Sequence, residues 1–159
     1  MSKYGIATIF ENSTAGYEFM PNNIPLHLTH VDSFELALDS EQLAEKLNSV
    51  LANQKSFQVK SLTDANYGPA KNIPVTELEL TPSLSMFHAL IMDMLTSENA
   101  VIKNPQFNRD GYSPHISVYG NRRVAVGQLI TISQVSIASK ESDAEDAKTK
   151  ILATINFKV

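Results

Sequence analysis

The chain is predicted to be an α+β protein built on antiparallel sheet, and three features predict it. Segments of β character outnumber helical ones and often follow one another directly, so few are joined through a helix as in a parallel βαβ unit. At the C-terminal end Ile151, Ala153, Ile155, Phe157 and Val159 alternate with other residues, as one buried face of a strand requires. A weak internal echo also divides the chain. His27-Leu28-Thr29 and His115-Ile116-Ser117 each follow a proline within two residues, and they lie 88 residues apart, about half of the 159-residue chain. That spacing predicts a bilobed domain over residues 1–159, its lobes facing each other across a pseudo-twofold axis.

The elements follow in order. Tyr4 to Phe10 is rich in β-branched and aromatic residues and reads as a first strand. Residues 11–25 hold Asn12, Gly16, Pro21, Asn22, Asn23 and Pro25, a composition of loop. Leu26 to Val31 is a second short strand. Ser40 is a plausible N-cap for a helix over about 41–53, with Leu43, Leu47, Val50 and Leu51 at helical spacing. Phe57 and Val59 begin a third strand and Val75 to Leu80 forms a fourth, with Gly68 and Pro69 in the loop between. Pro82 sits at a favoured first-turn position and opens a second helix. Its buried stripe is Leu84, Phe87, Ile91, Met94 and Leu95, with His88 at the edge in a structural role. Asn104 to Ser113 is turn-rich, Pro114 introduces the strand His115 to Tyr119, and Ile130 to Ile137 and Ile151 to Val159 complete the set. Residues 140–148 form a charged, solvated connection between the last two.

Composition narrows the function. Hydrophobic residues make up 43% and charged residues 19%, the usage of an ordinary folded domain. The absence of cysteine excludes disulfide scaffolds, thiolate zinc sites, iron–sulfur clusters and cysteine nucleophiles. A formal net charge of -4 argues against a grip on long nucleic acid, which needs a basic surplus, but leaves room for a small anionic ligand held by local charge. The N-terminus lacks the apolar run of a signal peptide, and no stretch approaches the ~18 apolar residues of a membrane span. A cytoplasmic monomer with no membrane partner is expected.

Residues i and i+2 of an extended strand share a face, so His27 stands with Thr29 and His115 with Ser117, each pair about 7 Å apart along its strand. Two imidazoles and two hydroxyls across a groove are the equipment for cleaving a phosphodiester by general acid–base catalysis. A neutral imidazole removes a proton from the attacking hydroxyl or water, and an imidazolium protonates the departing oxygen. An ordinary pKa of about 6.5 lets both forms exist near neutral pH. The hydroxyls of Thr29 and Ser117 are placed to stabilise charge on the non-bridging oxygens. His30, by alternation, faces away from His27.

Other residues join the candidate site. Between residues 103 and 123, Lys103, Arg109, Arg122 and Arg123 stand against Asp110 alone, so local positive potential around His115 is expected, with Arg109 and Arg122 as substrate contacts. Tyr112 and Tyr119 flank the second motif and are candidates to stack on a base. No metal site is expected: His27 and His30 point to opposite sides of their strand, and neither a His-x-x-x-His nor an acidic cluster accompanies them. No cofactor is called for.

Pro25-Leu26-His27-Leu28-Thr29 and Pro114-His115-Ile116-Ser117-Val118 resemble the two signature motifs of the two-histidine (2H) phosphoesterase superfamily, the 2′-5′ RNA ligase-like family. The likeness runs from residue 4 to about 135 and takes in Tyr67-Gly68-Pro69, Ile73-Pro74-Val75, Asn104-Pro105-Gln106-Phe107 and Gly111-Tyr112-Ser113. The resemblance implies two antiparallel sheets around a central cleft, with helices packed outside. It also implies metal-independent hydrolysis of 2′,3′-cyclic phosphates, or of 2′-5′ or 3′-5′ phosphodiesters, in nucleotides or short oligonucleotides. His27, Thr29, His115 and Ser117 match the catalytic positions; which histidine is acid and which base is left open. The chain departs from the family where residues 11–25 read as loop rather than helix, and where His30 replaces an apolar residue. Two other readings stay open: a phage-type nuclease that degrades cyclic oligonucleotide defence signals, and a non-catalytic module that binds a nucleotide.

Overall fold

The computed structural model describes residues 1–158; Val159, the last member of the alternating C-terminal series, lies outside the described residues. In chain order the elements are β1 (Ser2–Ile9), β2 (Glu18–Phe19), β3 (His27–Leu36), α1 (Ser40–Val50), β4 (Phe57–Tyr67), β5 (Ile73–Leu78), α2 (Pro82–Ser97), β6 (Val101–Ile102), β7 (His115–Ser117), β8 (Leu129–Ile132), β9 (Gln134–Lys140) and β10 (Thr149–Asn156). Short 3-10 turns at Pro105–Phe107 and Arg109–Gly111 shape the approach to β7.

Every strand pairing is antiparallel, and the order across the sheet is β2-β10-β9-β1-β3-β7-β5-β4-β8, with β6 alongside β3. This path divides into two lobes. One is β2-β10-β9-β1-β3 and the other β7-β5-β4-β8, joined where Leu28 of β3 pairs with Ile116 of β7. The expected α+β fold with antiparallel pairing is met, and the strands run continuously through that pair as one ten-stranded sheet. Leu28 and Ile116 are both buried, so the junction is anchored from the core side. The local twofold of an antiparallel pair passes between them and exchanges His27 with His115 and Thr29 with Ser117.

Both helices pack on the face that carries Leu28 and Ile116. Phe87 of α2 meets the His30 ring edge-on with centroids 4.9 Å apart, and lies 5.7 Å from Phe57 and 5.3 Å from Phe157. Helix α1 packs on α2 and β10 through Leu43 and Leu47. Its N-cap is Asp39 rather than Ser40: the Asp39 carboxylate accepts from the Gln42 amide at 2.8 Å, and the Asp39 amide donates to the Gln42 side chain at 3.0 Å. A carboxylate there satisfies an orphan amide and suits the positive helix end, which is why the chain enters the helix one residue early.

The stretch expected as one strand over 130–137 is two strands that serve different lobes. β8 pairs with β4, whereas β9 pairs with β1 and β10, and Ser133 marks the crossing. Ile130 and Ile132 alternate with exposed residues in β8, and Val135 and Ile137 are buried in β9, so the break shows only as a slip of one residue in the alternation. Alternation along β10 is likewise interrupted by a bulge between Ile151 and Ala153, which shifts the register against β9.

Candidate active site

Antiparallel register carries the site from the Leu28–Ile116 pair outward. His27 falls across from Ser117, and Thr29 across from His115, so each imidazole faces the other motif's hydroxyl. The two histidines take diagonal positions, which in a regular antiparallel pair stand about 7–8 Å apart. All four side chains are half-buried, on the face opposite the helices. The structure therefore brings together the four residues that the paired motifs single out.

Each imidazole is fixed by the same local bond. His27 Nδ1 lies 2.9 Å from the Pro25 carbonyl and His115 Nδ1 lies 2.8 Å from the Ser113 carbonyl, in both cases two residues upstream. A carbonyl oxygen only accepts, so Nδ1 donates and Nε2 is left as the free basic nitrogen. Burial holds the His27 pKa below its ordinary value of 6.5; the Pro25 bond opposes this and the charge of nearby His115 adds to it.

The surroundings of the two histidines differ. On the His27 side, Tyr119 stacks at 6.2 Å between ring centroids and 20° between planes. Tyr119 lies two residues beyond Ser117 and so shares its face. Burial raises its phenol pKa, with Ser117 and the Arg122 charge opposing. A two-residue turn at Gly120, whose φ of 64° suits glycine, brings Arg122 back beneath the ring at 6.0 Å. Arg122 in turn donates to Glu11 at 2.6 Å and to the Ile24 carbonyl at 2.7 Å, while Glu11 also accepts from the Leu26 amide. The 11–25 loop is thereby tied to the cleft rim immediately before the first motif.

On the His115 side stands a group that sequence reasoning missed. The Tyr67 ring meets His115 edge-on at 4.6 Å, and its hydroxyl bonds Glu77 at 2.5 Å and Ser113 at 2.9 Å. Glu77 is the β5 partner of His115 in the sheet, so the two side chains share a face. Nothing in the local sequence marks this set, because Tyr67 and Glu77 meet only through the β4–β5 hairpin. Tyr67 at a strand end before a glycine turn was the sole visible signal.

Two candidate substrate contacts do not reach the cleft. Tyr112 is 9% exposed, stacks on His88 with centroids 4.1 Å apart, and donates its hydroxyl to the Thr29 carbonyl at 2.9 Å. It lies three residues before His115, an odd interval that turns it to the helix side. Arg109 pairs with Asp93 of α2 at 2.9 Å, away from the motif face. The expected positive potential is also offset: Arg109, Arg122 and Arg123 are paired with Asp93, Glu11 and Asp64 respectively. Of these three, Arg122 lies beside Tyr119 at the site's rim.

The other two histidines are held neutral in the core. His30 is 0% exposed, on the back of the sheet as the alternation predicts. Thr8 donates its hydroxyl to the Gln134 carbonyl at 2.8 Å, so at its 2.7 Å contact with His30 it must accept, and Nε2 carries the proton. His30 Nδ1 then has no partner, and burial pushes the pKa down to about 3. His88 donates from Nδ1 to the His30 carbonyl at 2.8 Å and accepts the Arg109 amide on Nε2 at 2.9 Å. Among the described residues no three His, Cys, Asp or Glu side chains gather closely enough to hold a metal ion.

No family model and no curated protein matches the chain. Solved structures do match over nearly their whole length. LigT of E. coli in complex with 3′-AMP is 13% identical, with a TM-score of 0.59 over 99% of each chain. A phosphoesterase is 13% identical, with a TM-score of 0.57 over 99% of each chain. The chain has the LigT-like fold. A protein of Thermus thermophilus shares that fold at 12% identity, with a TM-score of 0.59 over 98% of this chain and 97% of its own. At such identities the likeness is one of fold, and LigT-like describes the architecture. Among the described residues no helix is long and apolar enough to cross a membrane.

Proposed function

We propose that this protein is a phosphodiesterase that cleaves 2′,3′-cyclic phosphates, or 2′-5′ or 3′-5′ phosphodiesters, of nucleotides or short oligonucleotides by two-histidine acid–base catalysis without a metal. The observation that carries the reading is the pair of imidazoles with free Nε2 atoms on one face, each across from the other motif's hydroxyl. The fold it shares with phosphoesterases supports an enzyme of that class. LigT has been crystallised with 3′-AMP, NADP+ and ATP, which supports a nucleotide as ligand.

In this mechanism His27 is the base. Its lowered pKa keeps it neutral near pH 7, so Nε2 accepts the proton of the attacking water or hydroxyl as the new P–O bond forms. His115, as imidazolium, gives the Nε2 proton to the departing ribose oxygen as the old P–O bond breaks. Thr29 and Ser117 donate to the non-bridging oxygens as charge grows there. Tyr119 offers a flat surface for a base beside His27, and Arg122 places one positive charge at that rim. The reaction ends with the two protons exchanged, and solvent restores them.

The test is a panel of 2′,3′-cyclic nucleotides, 2′-5′ and 3′-5′ dinucleotides and cyclic dinucleotides, assayed with a chelator present. Turnover of one class by the wild type, lost in His27→Ala, is expected. Inertness across the panel, with tight binding by calorimetry, would replace the enzyme by a binding module.

A further inference from the structure

We infer that Tyr67 and Glu77 are positioning residues that set the orientation and tautomer of His115, a role that rests on the two-histidine reading above. The inference comes from the direction of a hydrogen-bonded chain. Glu77, as a carboxylate, only accepts, so the single Tyr67 proton goes to Glu77 across 2.5 Å. Tyr67 is then an acceptor toward Ser113, whose hydroxyl must donate across 2.9 Å. Ser113 is the residue whose carbonyl receives the His115 Nδ1 proton at 2.8 Å. It is held at both ends, by its hydroxyl through Tyr67 and by its carbonyl through His115. One continuous chain, Ser113 to Tyr67 to Glu77, braces the carbonyl that fixes the imidazole.

The ring contact makes the same connection from the other side. Tyr67 meets the His115 imidazole at 4.6 Å and 64°, which limits rotation of the ring about its own axis. Burial and the Glu77 bond both raise the Tyr67 pKa above its ordinary value of 10, so the phenol keeps its proton through the neutral range and the chain keeps its direction.

His27 has no counterpart of this chain. Its carbonyl partner is Pro25, a buried residue without a hydroxyl, held by backbone rigidity and by the neighbouring Ile24–Arg122 bond. The half-site that has to release a proton to the leaving oxygen is thus the one in which the residue bonded to the imidazole is itself held by its own side chain. Partners that orient metal-bound histidines from behind are typically worth about 10–100-fold in activity, and an effect on that scale is expected for this imidazole.

The test joins kinetics to the 15N and 1H signals of the imidazoles. In the wild type, above their titration, both His27 and His115 show the Nδ1–H tautomer. Tyr67→Phe keeps the ring and removes the hydroxyl. It is expected to lower kcat roughly tenfold with KM little changed, and to move His115 toward a tautomer mixture while His27 keeps its wild-type signal. Glu77→Gln retains an acceptor for Tyr67 and should keep the His115 tautomer. Should Tyr67→Phe fail to fold, Ser113→Ala cuts the same chain and carries the same expectation. An unchanged His115 tautomer in the folded variant overturns the inference. If the wild type turns over nothing on the panel, the phosphodiesterase reading fails, and the imidazole signals alone still decide the positioning role.

Discussion

The two faces of the β3–β7 region hold four histidines, and they are used in opposite ways. On the motif face, His27 and His115 each spend one ring nitrogen on a backbone carbonyl and leave the other free in a half-open cleft. On the helix face, His30 and His88 are buried against Phe87 and Tyr112; burial keeps His30 neutral, and the bond His88 accepts from the Arg109 amide requires its neutral form. His88 uses both nitrogens, one as donor and one as acceptor. His27 and His30 are three residues apart on one strand, so residue type and neighbourhood in sequence do not separate a catalyst from a core residue. What separates them is a free nitrogen with access to water.

The largest effect expected from this contrast is on turnover. His27→Ala and His115→Ala should each reduce the rate by about 10³, within the range for loss of a general acid or base. Turnover of the panel by either variant at near wild-type rate would remove that residue from the chemistry. Next come the hydroxyls. Thr29→Ala and Ser117→Ala each remove one donor to the developing charge and should cost about 10² in kcat. Stability carries the reverse signature. His30 binds no proton in the folded state until about pH 3, whereas the unfolded chain protonates near 6.5. Stability should therefore be full above pH 6.5 and fall as pH drops toward 3, by roughly 1 kcal/mol per pH unit in that window. Urea midpoints at several pH values check this, and a His30→Leu variant with an unchanged slope would contradict it. The smallest effect is expected at the rim. Arg122→Ala breaks a half-exposed ion pair with Glu11, worth at most about 1 kcal/mol of stability. Its expected mark is a several-fold rise in KM rather than a fall in kcat.

Much of the site was legible because strand geometry is simple. A period of two places His27 with Thr29 and His115 with Ser117, turns His30 to the back, and keeps Tyr119 on the motif face. The same rule applied to Tyr112, three residues before His115, would have sent it to the core. Arg109 could not be placed this way, since it precedes β7 in a 3-10 turn and its partner Asp93 comes from α2. The β8–β9 division at Ser133 was easily passed over because it shows only as a slip of one residue in the alternation, between Ile130 and Ile132 before it and Val135 and Ile137 after it. Short pairings such as β6 with β3 depend on tertiary contact and carry no periodicity of their own. The Tyr67–Glu77 meeting was hidden for a related reason: the two share a face of the β4–β5 hairpin but pair there with Ile73 and Thr63, not with each other.

The central claim is that the free nitrogens of His27 and His115 do the chemistry together. The measurement that addresses it most directly is turnover of 2′,3′-cyclic nucleotides and 2′-5′ dinucleotides against pH, with chelator present, for wild type and the His27→Ala, His115→Ala double variant. A bell-shaped wild-type profile is expected, with the base limb of His27 displaced below pH 6.5, together with no measurable turnover by the double variant. A double variant that folds and retains wild-type turnover would contradict it.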